Sequence, residues 1–257
     1  MLTNQDIIKT AMQQSALDIN CRPEDFLKEE NVMARSVIGP LARKYYKEPV
    51  ACNLVSYGNN VVASVKDEYR AIVAEYIDKF TFYRCFETPG IHWLDERMSA
   101  YGQKICFMAE YFLPDMARLQ RLPCGYELRV LTQEDLADLY IPEWGNALCE
   151  DRKELDILGA GAYENGRLIG LAACSADCAD MWQVGVDVLP TYRRQGIAAS
   201  LTSHLAMEIL ERDKIPFYCC AWSNVRSARN AIKSGFTPAW VELTVKPKAL
   251  VDKMNQC

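Results

Sequence analysis

Arg193, Arg194 and Gln195 stand in the stretch DVLPTYRRQGIAASL, followed at once by Gly196 and then by the small residues Ala198 and Ala199. A strand-like apolar run, MWQVGVDVL, precedes them, and a helix-like run, IAASLTSHLAMEILER, follows. A helix N-terminus leaves backbone N–H groups without partners and carries partial positive charge. Phosphate fits there directly. A glycine at 196 lets the backbone approach a bulky anion and take dihedrals closed to other residues. The alanines keep the first helical turn uncrowded, and the two arginines add full charges. The arrangement suits a pyrophosphate. An ordinary strand–helix turn with surface arginines has the same spacing, since short glycine motifs are common.

The elements that must position this turn form a regular series. YELRVLT reads as a strand and QEDLADLYI as a helix. AGAYENGRLIGLAACSA reads as a hairpin turning at ENG, and DMWQVGVDVL as the next strand. After the helix at 197–212 come a strand at PFYCCAW, a helix at VRSARNAIKSG and a closing strand at PAWVELTV. The order β-α-β-β-β-α-β-α-β predicts a mixed α/β layered domain.

The first 120 residues read differently. A helix over TNQDIIKTAMQQSA, capped at Thr3 or Asn4, and a helix over RPEDFLKEENVM are expected. VACNLVSYG and NNVVASV form a second hairpin at GNN, and KDEYRAIVAEYIDKF is a helix striped by Tyr69, Ile72, Val73 and Tyr76. IHWLDERMSAYGQ adds a helix and KICFMAEYFL a strand. Two prolines and a glycine in PDMARLQRLPCG place a boundary near 114–125. The expected domains are therefore 1–120, an α/β lobe, and 125–257.

Bulk composition excludes several classes. The net charge is −5, and neither 1–124 nor 125–257 has a basic surplus, so no nucleic-acid partner is expected. No apolar run approaches membrane-spanning length, so no membrane partner is expected either. Eleven scattered cysteines, an odd number, suit reduced thiols in a cytoplasmic protein better than a disulfide scaffold. Cys219 and Cys220 are adjacent in a strand and point to opposite faces. Cys174 and Cys178 lack a second ligand pair, and His92 and His204 lie far apart in sequence, so no metal is expected. His204 reads as a flank residue of its helix.

Arg193-x-x-Gly196-x-Ala198, with Pro190 three residues earlier, resembles the signature of the GNAT superfamily of acyl-coenzyme A-dependent N-acyltransferases. Asn224, eleven residues before Gly235 of a Gly-Phe pair, is similar to a second element of that family, and the strand order above matches its fold. The resemblance covers about 125–245, and implies an N-acetyltransferase that moves an acetyl group from acetyl-CoA to a primary amine on a small molecule or peptide. It also implies where the coenzyme lies. The pantetheine arm would fill a gap between strands 181–189 and 216–221, pairing with the backbone of Val186, Asp187 and Val188. The pyrophosphate would meet amides of Arg194, Gln195, Gly196, Ile197, Ala198 and Ala199. Asn224 would meet the pantetheine or the leaving thiol, and the Val186 N–H would polarise the thioester oxygen. Arg226, Arg229 and Lys233 could hold the 3′-phosphate, or form a solvated helix face.

The chain departs from the family at two places. Where many members carry a glutamate base, it has Trp182 and Gln183; where many carry a tyrosine acid, it has Ala231. Another base must then serve, directly or through water, or the protein is a non-catalytic acyl-CoA-binding sensor. Asp187 alternates with Val186 and Val188, so it is expected to face away from the gap and satisfy a nearby helix start. Ser175, Asp177 and Asp180 lie on a turn near where family acceptors often bind and are expected as solvated turn residues, and Glu143 and Trp144 lie on a segment that often lines the acceptor site in the family. The lobe over 1–120 loosely echoes the family order without a phosphate turn. It is expected to be a degenerate GNAT-like unit or a separate α+β binding domain, on the acceptor side.

Overall fold

The computed structural model describes residues 2–256. Two compact units are present. The cradle unit holds residues up to Ile8 and Phe112–Pro238, and the second unit holds Lys9–Tyr111 and the chain from Ala239 onward.

The cradle unit follows the expected order up to the closing strand, which lies mostly in the second unit. Its elements are β5 (Glu127–Thr132), α4 (Gln133–Leu136), β6 (Asp156–Glu164), β7 (Arg167–Ser175), β8 (Met181–Val188), α5 (Ile197–Leu210), β9 (Ile215–Ala221) and α6 (Val225–Lys233). The strands lie in the order β9-β8-β7-β6-β5, with β8 and β9 parallel and the other neighbours antiparallel. Asn165 and Gly166, with φ of 49° and 80°, close the β6–β7 hairpin in the left-handed pair of conformations that matches strand twist. The apolar face of α5 (Ile197, Leu201, Leu205 and Ile209) packs on one face of the sheet with Val184, Tyr218 and Phe236. It comes close because residue 170 has no side chain: a Cβ there would sit 3.0 Å from both Ile197 Cγ2 and Leu201 Cδ1.

The helix expected over 133–141 is one turn long. Leu139 N–H donates to Leu136 O, a tighter bond than the α-helical one, and Pro142 then prevents the segment from resuming the helix.

The second unit contains β1 (Val32–Arg35), β2 (Cys52–Ser56), β3 (Val62–Val65), α2 (Arg70–Lys79), α3 (Thr88–Ser99), most of β4 (Gln103–Pro114) and β10 (Phe236–Pro247), and α7 (Lys248–Met254). Most of α1 (Asn4–Ile19) also lies there, with the expected cap at Thr3, whose Oγ1 accepts from the Asp6 N–H at 3.2 Å. The stripe on α2 is in the core: Val73 and Tyr76 are fully buried with Leu54, Leu94 and Leu243. Arg43 is also fully buried, paired with Asp18, and its guanidinium lies 5.8 Å from the Trp240 ring.

Two expectations fail here. The helix over RPEDFLKEENVM is only a 3₁₀ segment, Pro23–Leu27. Tertiary bonds claim the rest: Asn60 Nδ2 donates to the carbonyls of Asp25 and Glu30, and Val32 N–H donates to Val61 O. A single cut between 120 and 125 also differs from the compact units. Val241, Leu243 and Thr244 of β10 pair with Ser56, Leu54 and Asn53 of β2, so the C-terminal strand completes the second unit. The segment 115–124 belongs to the cradle unit, where Leu122 N–H donates to Ser203 Oγ and Leu119 and Cys124 pack on the core.

Candidate active site

The turn after β8 is built from two left-handed residues. Arg194 has φ of 66° and Gly196 has φ of 85°, on either side of Gln195. A non-glycine residue in that region is strained, and the strain is held by side-chain bonds around it. Arg193 Nε donates to Val188 O at 3.0 Å, and Tyr126 Oη donates to Gln195 Oε1 at 2.7 Å. Gly196 stands at the N-cap of α5, and Ser200 N–H donates to Gly196 O as the first helical bond. The N–H groups of Ile197, Ala198 and Ala199 therefore have no helical acceptor behind them. A Cβ on Gly196 would have one neighbour within 4 Å, Lys233 Nζ at 3.8 Å. The turn is thus an open concavity of backbone N–H groups, of the kind that holds phosphate. Of the cations expected here, Arg193 is folded back onto its own strand, while Lys233 of α6 stands beside the turn.

Next to this cradle the sheet opens. β8 pairs with β9 from Met181 to Val184, and with β7 from Gln183 to Val188. Val186, Asp187 and Val188 thus have sheet partners on β7 only, and their edge toward β9 faces a gap. Gln183 Nε2 donates to Cys219 Sγ at 3.2 Å, across the point where the two strands part. Asn224 caps α6, its Oδ1 accepting the Ser227 N–H at 3.2 Å. Ala231, at the position of the usual acid, is fully buried in the core.

On the sheet face opposite α5 lies a cavity of about 690 Å³, lined by the segment 140–152 and by Asp156, Ser175, Gln183 and Gly185. Asp187 fixes its wall, accepting from Asn146 N–H at 2.8 Å, Asn146 Nδ2 at 2.7 Å and Ala147 N–H at 2.9 Å. It faces away from the α5 side, as expected, and holds a tight turn rather than a long helix start. Trp144 is buried in that turn and Glu143 is exposed. Ser175 and Asp177 differ from the expectation of solvated turn residues. Both are buried, Asp177 in an ion pair with Arg152; Asp180 is exposed. His204 accepts its flank role, its Nε2 lying 3.0 Å from Leu122 O.

Sequence reasoning missed Asp156. It is 1% exposed and accepts from Ser175 Oγ at 2.9 Å, Cys149 N–H at 2.9 Å and Tyr140 Oη at 3.3 Å. Burial raises its carboxyl above the usual carboxylate range, against the lowering effect of those hydrogen bonds and of Arg152. The Tyr140 hydroxyl is likewise pushed up, by burial first and then by Asp156.

The GNAT acetyltransferase family matches residues 96–239, more than half of the chain. The chain belongs to this family, whose members are acyl-CoA-dependent acyltransferases. Among solved structures it is similar to a GNAT-family protein from Novosphingobium aromaticivorans, at 19% identity over 56% of this chain and 66% of that one, TM-score 0.42. It is similar to a GCN5-related N-acetyltransferase-like protein from Streptococcus suis, at 20% identity over 60% and 67%, TM-score 0.46. It is also similar to a tandem GNAT protein from the clavulanic acid biosynthesis pathway, at 16% identity over 62% and 58%, TM-score 0.43. The matches thus span about two thirds or less of the length of these relatives. No curated protein matches the sequence. Among the described residues no helix is long and apolar enough to cross a membrane.

Proposed function

We propose that the protein transfers an acetyl group from acetyl-CoA to a primary amine carried by a small molecule or peptide, in a ternary complex. The observation that carries this reading is the parting of β8 from β9 after Val184, with a phosphate-type turn beyond Val188 and a cavity beside Gln183. A pantetheine arm lying along Val186, Asp187 and Val188 would join the two. Amides of Arg194, Gln195, Gly196, Ile197, Ala198 and Ala199 would take the pyrophosphate, with Lys233 adding charge. Asn224 stands at the mouth of β9 for the pantetheine amides. Arg193 acts through the turn it secures.

The cavity supports an amine acceptor. Glu150, Asp151 and Asp156 line it, against one guanidinium, Arg152, already paired with Asp177. That balance attracts a cation. The Val186 N–H would polarise the thioester oxygen from the strand edge.

A sensor that binds acyl-CoA without turnover is the second reading, favoured by Gln183 and Ala231 at the usual base and acid positions. Calorimetry with coenzyme A and thiol release from acetyl-CoA over a panel of primary amines separate the two. Binding with amine-dependent thiol release supports transfer. Binding without release from any amine supports the sensor.

A further inference from the structure

The cavity contains a hydrogen-bonded pair that the turn and the gap do not use. Asp156 at the start of β6 and Ser175 at the end of β7 are register partners, and Ser175 is in turn opposite Gln183 of β8. Directly opposed residues share a face of the sheet. Gln183 and Gly185, two apart, share that face as well. All four line the cavity. Ser175 therefore lies one strand away from Gln183, and the gap opens two residues further on, about 7 Å along the strand.

Within this row the hydroxyl is oriented. Ser175 Oγ donates to Asp156 Oδ1 at 2.9 Å, so its lone pairs are left for a donor from the cavity. The carboxylate beneath it is closed to solvent, at 1% exposure, and its second oxygen takes the Cys149 N–H and the Tyr140 hydroxyl. An amine N–H entering the cavity meets Ser175 before it meets Asp156.

We propose that Ser175 Oγ accepts the proton of the attacking amine while Asp156 receives the proton that Ser175 gives up, supplying the base that the glutamate position lacks. This rests on reading the cavity as the acceptor site. The neutral amine nitrogen attacks the thioester carbonyl and a C–N bond forms. The N–H proton passes to Ser175 Oγ as the Ser175 proton passes to Asp156. The tetrahedral intermediate collapses, the C–S bond breaks, and the thiolate leaves. The proton returns from Asp156 through Ser175 to the thiolate, so the products are amide and thiol with no net proton change. Ser175 is the catalytic residue; Asp156 acts through it and positions it. The titratable and charged groups facing the pair are Tyr140, Cys149 and Arg152 from the segment beside β6, Cys174 of β7, and Asp177 after β7 behind Arg152.

The test uses the full chain with acetyl-CoA and a panel of small alkyl mono- and diamines. Variants are Asp156→Asn, Ser175→Ala and Ser175→Thr. Removal of a general base costs about 10²- to 10⁴-fold in rate. Asp156→Asn and Ser175→Ala should lower kcat by at least about 100-fold with coenzyme A affinity unchanged, and should erase the acid limb of the kcat–pH profile. Ser175→Thr, which keeps a hydroxyl, should restore most of the rate and the limb. If Asp156→Asn fails to fold by circular dichroism, Ser175→Ala decides. A Ser175→Ala enzyme within threefold of wild type in kcat, about 0.65 kcal/mol, overturns the proton path and leaves the transfer reading intact. A wild-type protein that binds coenzyme A but acetylates no amine overturns that reading, and this proposal with it.

Discussion

At Gly185 the backbone of β8 lies tight against the main chain of the cavity wall. A Cβ built there lies 2.1 Å from Asn146 O and 3.1 Å from both Asn146 C and Ala147 Cα, all of them main-chain atoms. Real Cβ atoms essentially never come within 3.0 Å, so Gly185→Ala must push the 146–147 turn outward by at least 0.9 Å. The turn cannot move alone. Asp187, two residues along the same face, holds it with three bonds of 2.7–2.9 Å, and a shift of that size in the strand's normal direction breaks or lengthens them.

The magnitude follows from two contributions. Overpacking a tight contact costs about 1–3 kcal/mol. Hydrogen bonds to a charged group contribute about 1.5–3 kcal/mol each when buried, less here because Asn146 is exposed and water replaces what is lost. We expect a total near 3 kcal/mol, which for a chain of this size lowers Tm by about 6–12 °C. The proposed coenzyme cradle is untouched, so affinity for coenzyme A should stay within twofold, while KM for an amine bound in the proposed acceptor cavity rises as its wall moves. Scanning calorimetry and coenzyme titration read the two effects separately. Asp187→Ala removes the bonds without the clash. The double variant should be less than additive, because the two substitutions act on one turn. A Gly185→Ala protein with Tm within about 1 °C of wild type would show that the turn yields freely and that the wall is not held as described.

Four further outcomes are expected. Gly196→Glu puts a side chain at φ of 85° and a negative charge beside the proposed pyrophosphate site, so calorimetric binding of coenzyme A should vanish in a folded protein; unchanged affinity would remove the cradle from the site. Asn224→Ala loses the cap on Ser227 N–H and should cost about 1 kcal/mol of stability. If the side chain also meets pantetheine, coenzyme affinity falls by a further 1–2 kcal/mol or so, whereas no change in affinity leaves only the cap. Lys233→Glu should weaken coenzyme A binding and flatten its salt dependence, and an unaltered salt slope would place Lys233 outside the phosphate field. Burial raises the Asp156 carboxyl in the folded state, so its contribution to stability is full below the unfolded value and is lost as pH rises through the folded one. Tm of Asp156→Asn should therefore fall less than that of wild type as pH rises from the acid side, and parallel curves would refute the shift.

Much of the cradle unit was legible in the sequence because its signals are local. Strand alternation, the Asn-Gly turn and the small residues after Gly196 each declare themselves within a few positions, and the observed elements follow them. The misreadings arose where distant groups decide. Nothing within RPEDFLKEENVM says that Asn60 will take the carbonyls of Asp25 and Glu30. Nothing in PDMARLQRLPCG says that Leu122 will bond to a serine 81 positions away. A cut at 124/125 would accordingly strip Phe112 and Leu119 from the core beside α5.

Asp156 was hidden for a different reason, and it need not have been. The hairpin read from the sequence begins at Ala160, which leaves Asp156 outside it, whereas β6 begins at Asp156. Pairing outward from the Asn165-Gly166 turn sets Glu164 opposite Arg167 and Tyr163 opposite Leu168. The same count continued to the end of the hairpin sets Asp156 opposite Ser175. The structure reaches that pair through two irregularities, one between Ala162 and Tyr163 and one between Asp156 and Leu158, which offset each other. A carboxylate and a hydroxyl directly opposed at the end of a hairpin are then a candidate proton path readable from spacing alone. Asp187 and the polar residues around the end of β7 were weighed one at a time, while the register of the hairpin had already brought a carboxylate to the face of Gln183.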